Sequence, residues 1–365
     1  MRLCDLAPAH IRAISPYQPG KPIAELAREM GLAEDSIVKL ASNENPLGLG
    51  EKARAAILHA VGEIARYPDG NGFELKDALC RRYGVAMDQI VLGNGSNDVL
   101  ELAARAFLGP NLEAVFSRHA FAVYPLATQA AGAQGVEVPA KNFGHDLDAM
   151  LAAITSATRV VFIANPNNPT GTFLPGEEIE AFLARVPDSV LVVLDEAYTE
   201  YLEPAQRYDA IGWLARFPNL LICRTFSKAY GLAGLRVGYG LGNPQVIDLM
   251  NRVRQPFNVG NVALAAAAAA LFDDEFLSRS FELNCAGMAQ LTEGFARHDL
   301  EWIPSAGNFV TFKVGDGGGV NQRLLKQGVI VRPIAGYGMG EWLRVSIGLE
   351  RENARFLDAL PKALA

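Results

Sequence analysis

The chain has 365 residues, of which 50% are hydrophobic and 20% are charged, an ordinary globular composition with enough apolar material for a sizeable core. At this length we expect one large domain and a smaller second one. The formal net charge is -7, and no run of Lys and Arg is present. This balance excludes nucleic acid and anionic membrane surfaces as the main partners.

Cysteine and histidine are dispersed along the chain. Cys4, Cys80, Cys223 and Cys285 form no CxxC pair, and the five histidines form no HxxxH or HExxH pattern. We therefore expect reduced thiols and no protein-bound metal. The first residues contain an early acid and no apolar run of signal-peptide length, so a cytoplasmic enzyme is expected.

Short apolar runs alternate with helical patterns from about residue 90 to residue 241. This alternation predicts an α/β fold with a mostly parallel, seven-stranded sheet flanked by helices. In such sheets, ligands bind beyond the carboxyl ends of the strands. The predicted strands are Gln89–Leu92, Ala114–Ser117, Gly135–Val138, Arg159–Ala164, Val190–Leu194, Leu220–Arg224 and Arg236–Leu241.

The C-terminal third has a different pattern, with long helices followed by strands and a last helix from about Glu350. We predict a smaller α+β domain made of residues 1–45 and 256–365, and a large domain made of residues 46–255. The glycine-rich segment 315–319 lacks the spacing of a phosphate-binding loop and is expected to be a surface turn.

One lysine has neighbours that suggest cofactor chemistry. Lys228 follows a predicted strand in a loop rich in Ser, Thr and Gly, Asp195 ends the apolar run 190–194, and Asn168 lies in a proline-rich turn. A Schiff-base lysine, a carboxylate for a pyridinium nitrogen and polar donors for a phosphate are what pyridoxal 5'-phosphate requires. Tyr198 lies one helical turn beyond Asp195 and could donate to the ring hydroxyl.

The phosphate of such a cofactor needs cationic and backbone donors. The segment Gly93–Asp98 lies between a predicted strand and a predicted helix, where backbone N–H groups can hold an anion. Ser96 can also cap that helix, which is compatible with anion binding. Ser227 adds a hydroxyl, and Arg236 adds a guanidinium that can bind two oxygens at once.

These segments resemble the aspartate-aminotransferase-like family of fold type I pyridoxal-phosphate enzymes. The segments 41–48, 66–70, 329–338 and 342–348 narrow the resemblance to the histidinol-phosphate aminotransferase branch, and it covers about residues 14 to 360. The resemblance implies that Lys228 is catalytic and that the cofactor is held by Ser96, Asn97, Phe121, Asn168, Asp195, Tyr198, Ser227, Lys228, Arg236 and Tyr67. It implies that substrate is bound by Tyr17, Asn168, Arg332 and Arg344.

The resemblance also implies a homodimer with shared active sites, in which Tyr67 reaches the phosphate of the neighbouring subunit. Phe121 takes the position of a ring that stacks on the pyridine; many relatives have tyrosine there. The segment His119–Tyr124 likewise departs from the Pro-Thr-Tyr form common in relatives.

The implied activity is transfer of the amino group between histidinol phosphate and 2-oxoglutarate, giving imidazole-acetol phosphate and glutamate in histidine biosynthesis. Two alternatives stay open on sequence grounds. One is an aromatic amino-acid aminotransferase that accepts phenylpyruvate-type substrates. The other is a lyase, a threonine-phosphate decarboxylase, because the residues around the cofactor do not decide which bond is broken.

Overall fold

A seven-stranded sheet forms the centre of the larger part of the fold in the computed structural model, which describes residues 3–365. The strands of the described chain are β1 Val38–Lys39, β2 Ile90–Gly93, β3 Glu113–Ser117, β4 Gln134–Val138, β5 Thr158–Ala164, β6 Leu191–Asp195, β7 Leu220–Thr225, β8 Gly238–Gly242, β9 Trp302–Ile303, β10 Phe309–Lys313, β11 Val329–Ile330, β12 Arg332–Pro333 and β13 Trp342–Ser346.

Helices cover both faces of this sheet and one face of a smaller one. The α-helices of the described residues are α1 Ala9–Arg12, α2 Ile23–Met30, α3 Glu51–Ala60, α4 Phe73–Tyr83, α5 Ser96–Phe107, α6 Val123–Ala130, α7 Leu147–Ala152, α8 Gly176–Leu183, α9 Pro244–Val253, α10 Asn261–Ala270, α11 Asp274–Ala296, α12 Gly317–Lys326 and α13 Glu350–Leu364. None of the helices in residues 3–365 has the length and apolar character needed to cross a membrane.

The strand order of the large sheet is β2-β8-β7-β6-β5-β3-β4. Strands β3 to β7 pair in parallel, and only β8 runs antiparallel to its neighbours β2 and β7. The central strands are apolar runs that are buried along their whole length, as expected of a sheet with helices on both faces. The predicted mostly parallel, seven-stranded sheet is confirmed.

The C-terminal part forms a four-stranded antiparallel sheet in the order β12-β13-β10-β9. Its core contains Phe295, Phe312 and Phe356, which come from α11, β10 and α13; the rings of Phe295 and Phe312 stack 4.6 Å apart. The N-terminal segment joins this part through β1, which pairs in parallel with β11.

Helix α10 lies beyond the predicted end of the large domain at residue 255. Its residues Ala263, Leu264 and Ala267 are buried in the same apolar cluster as the large sheet and α4. The core of the large sheet therefore extends to about Leu271. The division into two domains stays a prediction, and this packing favours assigning residues 256–271 to the large one.

Candidate active site

A cavity of about 210 Å³ lies at the carboxyl ends of β5, β6 and β7, between the large sheet and the C-terminal part. Of the residues predicted to form the site, all except Tyr67 line this cavity: Tyr17, Ser96, Asn97, Phe121, Asn168, Asp195, Tyr198, Ser227, Lys228, Arg236, Arg332 and Arg344. Segments that are far apart in sequence meet here because parallel strands deliver their loops to one edge.

Asp195 is the last residue of β6 and is buried. Its Oδ2 atom accepts a hydrogen bond of 2.9 Å from the hydroxyl of Tyr124, while Oδ1 is buried and has no hydrogen-bond partner among residues 3–365. Burial raises the pKa of this carboxyl to about 6, although the Tyr124 bond opposes the shift. A buried carboxylate oxygen without a partner is costly, so Oδ1 is suited to a cationic N–H donor from a ligand.

Lys228 lies in the loop that follows β7. Its Nζ atom donates to the backbone carbonyl of Ser42 at 3.1 Å and lies 5.8 Å from the ring centre of Tyr198. Burial, with the charge of Arg344 as the next cause, lowers the pKa of this amine to about 8. The neutral, nucleophilic form is therefore much more populated near neutral pH than in an ordinary lysine.

The start of α5 and the side chain of Arg236 form a corner whose donors can hold an anion. Gly95 precedes the helix with φ +81° and provides no side-chain cap, so the first backbone N–H groups of α5 are available to a ligand. Arg236 closes the corner from the start of the β8 segment and donates to the Ser227 hydroxyl at 3.1 Å. A Cβ atom on Gly95 would lie 2.3 Å from an Arg236 nitrogen, so only glycine permits this approach.

Two polar groups face the cavity beside Lys228. Tyr198 is buried, and its hydroxyl accepts a bond of 2.9 Å from Asn43, which leaves its own proton to donate. Burial raises the pKa of this phenol to about 12, so it stays protonated. Asn168 uses its carbonyl oxygen to accept from Arg344 at 2.6 Å, and its amide NH₂ is the end that can donate to a ligand.

Arg344 extends from β13 to the same cavity and is buried. It donates to Asn168 and, at 2.7 Å, to the carbonyl of Ala41, while its Nε is buried without a partner. No carboxylate of the described residues lies within salt-bridge distance of this guanidinium. Burial lowers its pKa, since the charged form lacks a counterion. An anionic ligand would supply one.

A second guanidinium lies at the entrance. Arg332, from β12, donates to the Tyr17 hydroxyl at 3.2 Å and to the carbonyl of Gln18 at 2.7 Å, with its Cζ atom 5.4 Å from the centre of the Tyr17 ring. The side chain is partly exposed, and the Tyr17 residue is half-exposed. This pair can bind a phosphate or a carboxylate that reaches the mouth of the cavity.

Tyr67 does not reach the cavity of its own chain. Its side chain is 84% exposed and stacks on Phe257 at a ring distance of 4.8 Å.

Comparison with known proteins supports one family across nearly the whole chain. The model of the aminotransferase class I and II family matches residues 35–360. Histidinol-phosphate aminotransferase 2 of Nitrosospira multiformis is 65% identical over 365 residues, which covers 100% of this chain and 93% of that protein. The chain belongs to the class I and II aminotransferase family, in its histidinol-phosphate aminotransferase branch. The corresponding enzyme of Methylobacillus flagellatus is 66% identical over 363 residues, with 100% of this chain and 98% of that protein covered.

Solved structures agree with the fold of this aminotransferase. The histidinol-phosphate aminotransferase from Sinorhizobium meliloti, in complex with pyridoxal-5'-phosphate, matches with a TM-score of 0.89 at 29% identity, covering 98% of this chain and 96% of that one. Aspartate aminotransferase from Thermus thermophilus matches in fold, with a TM-score of 0.83 at 23% identity over 97% and 98% of the two chains.

The donors of the cavity fit pyridoxal phosphate. The unpartnered Oδ1 of Asp195 suits a protonated pyridine nitrogen, Lys228 provides an amine of lowered pKa, and the corner at α5 and Arg236 suits a phosphate. These three features lie around one cavity, as the cofactor needs.

Three residues that hold the site side chains in place have no motif of their own in the sequence. Tyr124 bonds Asp195, Asn43 bonds Tyr198, and Ser42 bonds Lys228 through its carbonyl. Asn43 and Ser42 belong to the segment 41–48, on which the narrower resemblance partly rests. The resemblance marked this segment as important but did not indicate which contacts its residues make. Tyr124 had no comparable signal.

Proposed function

We propose that this aminotransferase transfers the amino group between histidinol phosphate and 2-oxoglutarate, giving imidazole-acetol phosphate and glutamate. The observation that supports it best is the pair of cationic positions along one cavity, the buried Arg344 and the partly exposed Arg332. The two substrates in turn present carboxylates or a phosphate, and a guanidinium can bind either anion through two oxygens. The identity of 65% to a histidinol-phosphate aminotransferase supports the same substrates.

The cofactor in this proposal is pyridoxal 5'-phosphate, whose ring withdraws electrons from the bonds at the substrate Cα. Asp195 would hold the proton on the ring nitrogen, and Phe121 would stack on the ring. Asn168 and Tyr198 would donate to the ring hydroxyl. The phosphate would be held by Ser96, Asn97, Ser227 and Arg236.

Lys228 has two roles in the proposal. Its amine would hold the cofactor until substrate arrives, and the free amine would then move the proton at the substrate Cα. The pKa of about 8 suits this work, because a base is most effective when its pKa lies near the operating pH.

Arg344 binds the carboxylate of glutamate or 2-oxoglutarate, with Asn168 beside it. Arg332 and Tyr17 bind the phosphate of histidinol phosphate near the mouth of the cavity. The half-exposed position of Tyr17 suits a group that contacts substrate as it enters.

The proposal includes a cytoplasmic homodimer with shared active sites. Tyr67 is exposed and lies outside the cavity of its own chain, which suits a residue that contacts the cofactor phosphate of a second copy. No nucleic-acid or membrane partner is part of the proposal.

The deciding experiment incubates the purified holoenzyme with histidinol phosphate and 2-oxoglutarate and measures glutamate. We expect glutamate to form, and Lys228→Ala to lower the rate by about 10³-fold or more and to remove the visible absorbance of the lysine-bound cofactor. Lys362→Ala, an exposed lysine near the end of α13, is the control and keeps both.

Three other outcomes would contradict the proposal. Turnover of phenylpyruvate-type substrates without turnover of histidinol phosphate would support the aromatic aminotransferase. Carbon dioxide released from threonine phosphate without formation of glutamate would support the lyase. A visible band that persists in Lys228→Ala would show that another amine holds the cofactor.

A further inference from the structure

The loop that follows β3 is joined to the turn that precedes β13 by a side-chain hydrogen bond. The Nδ1 atom of His119 lies 2.5 Å from the backbone carbonyl of Tyr337. We call the His119–Tyr337 contact the 119–337 latch. It crosses the cleft between the large sheet and the C-terminal part.

The His119 side chain is the donor of this bond. A carbonyl oxygen only accepts, so Nδ1 carries the hydrogen whether the ring is neutral or charged. The backbone of His119 has φ +58°, and its carbonyl accepts a bond of 2.9 Å from Asn167. The left-handed backbone and the Asn167 bond together aim the ring at Tyr337.

The latch is next to the substrate end of the cavity. Phe121, two residues after His119, and Tyr337 both line the cavity. Tyr337 lies in the 3-10 turn 335–337, between Arg332 on β12 and Arg344 on β13. Displacing Tyr337 would therefore change the wall between the two guanidinium groups.

We propose that His119 is a positioning residue for substrate, which holds Tyr337 through the 119–337 latch and so sets the width of the cavity between Arg332 and Arg344. The choice of substrate in this inference rests on the proposed function. The positioning role rests on the contacts alone.

Asn and Asp are nearly isosteric with each other, so placing each of them at position 119 distinguishes the effect of the hydrogen bond from that of the backbone conformation. Asn and Asp both tolerate the left-handed conformation at position 119. The Nδ2 atom of Asn can replace Nδ1 as a donor, whereas an ionised Asp presents only acceptors to the Tyr337 carbonyl. His119→Asn is thus the conservative variant, and His119→Asp is its matched variant without a donor.

We expect His119→Asp to raise the KM for histidinol phosphate about 10-fold or more while kcat changes less than about threefold, as loss of one partly buried hydrogen bond would do. We expect His119→Asn to stay within about threefold of the unchanged protein in both. Equal KM values for the two variants, or a fall in kcat with unchanged KM, would overturn the positioning role.

A second measurement does not depend on turnover. Amide hydrogen exchange of residues 335–338 in the substrate-free holoenzyme should be at least about fivefold faster in His119→Asp than in His119→Asn. Equal exchange would overturn the latch even if the KM values differ. If the unchanged protein does not use histidinol phosphate, the proposed function fails and the exchange result still decides the latch. His119→Gly, which keeps the backbone and lacks the donor, replaces His119→Asp if the latter does not fold.

Discussion

The carboxylate of Asp195 is buried, and the side chains around it do not fully balance its negative charge. Its Oδ1 has no hydrogen-bond partner among the described residues, and burial raises the pKa of the carboxyl from 3.8 to about 6. The folded chain therefore holds the carboxyl proton more tightly than the unfolded chain does. The free energy of unfolding falls as pH rises from about 4 to about 6 and stays lower above that range.

Asp195→Asn should stabilise the cofactor-free protein at pH 8 by about 1–3 kcal/mol, since a shift of this size is worth about 3 kcal/mol at most. Asn keeps an acceptor for the Tyr124 hydroxyl, so the loss of charge is the main change. The difference should vanish near pH 4, where the wild-type carboxyl is protonated. Denaturant unfolding at the two pH values measures it.

The matched control for this prediction is Asp188→Asn, which removes an exposed carboxylate and should show no comparable pH-dependent gain. A destabilised Asp195→Asn protein at pH 8 would show that the ionised carboxyl stabilises the fold. The same variant should bind pyridoxal phosphate more weakly, because it lacks the charge that pairs with the ring nitrogen.

The sequence alone predicts the site residues whose chemistry follows from a short local motif. Asp195 ends the buried strand β6, Lys228 follows the buried strand β7, and both line the cavity. Their supports could not be predicted in the same way. The Tyr124–Asp195 and Asn43–Tyr198 bonds join residues 71 and 155 positions apart, so they exist only once the chain has folded.

Among the secondary-structure elements, the start of α5 is the most sensitive to a small change. Gly95→Ala would place a Cβ atom 2.3 Å from the Arg236 guanidinium and would force a residue with φ +81° to carry a side chain. We expect the dissociation constant for pyridoxal phosphate to rise about 10-fold or more, as loss of one charge-assisted contact predicts. Titration of the cofactor-free protein, followed by absorbance, measures it.

Gly109→Ala is the control, because Gly109 follows the other end of α5 and a Cβ atom there would meet nothing within 4 Å. Its cofactor affinity should be unchanged. Equal affinities for the Gly95 and Gly109 variants would show that the corner formed by α5 and Arg236 does not hold the phosphate.

The expectation of a surface turn over 315–319 was wrong in part. Gly317 to Gly319 form the first turn of α12, where Asp316 accepts from the Gly319 N–H at 2.9 Å as a helix cap. Glycine is a poor helix former, so propensity alone favoured a turn. A Cβ atom on Gly317 would lie 2.6 Å from the carbonyl of Gly340, so glycine is needed there for close packing.

At the scale of the whole molecule, exposed apolar side chains precede Tyr67 in the chain. Leu58 is 72% exposed and Ile64 is 62% exposed, on the same segment that leads from α3 to Tyr67. Exposed apolar side chains within one short segment are typical of contacts between proteins. Their exposure supports the proposed contact with a second copy.

Mixing two variants tests the shared site. We expect Tyr67→Ala alone to be strongly impaired, and Lys228→Ala alone to be inactive. Mixed dimers would contain one site with Lys228 from one chain and Tyr67 from the other, so an equimolar, refolded mixture should recover roughly a quarter of wild-type activity. No recovery above the sum of the separate variants would contradict sharing between subunits.

The overall architecture was predictable because the central strands of the large sheet are mainly apolar and buried, such as Leu191–Asp195, whose first four residues are all apolar. The extent of the core of the large sheet was not predictable from the sequence. Helix α10 is largely alanine and carries little directional signal, so its packing on α3 and the sheet depends on the folded neighbours rather than on the pattern of the helix itself.

The reversed strand β8 determines the order in which the large sheet can be assembled. Among the described residues, strand β2 pairs only with β8, and the paired residues Ile90 and Leu241 are 151 positions apart in the chain. We therefore expect β2 to lack its sheet partner during synthesis until β8 has emerged. The start of α5 follows β2, and Arg236 precedes β8, so we expect the two halves of the corner formed by α5 and Arg236 to come together when these two strands pair.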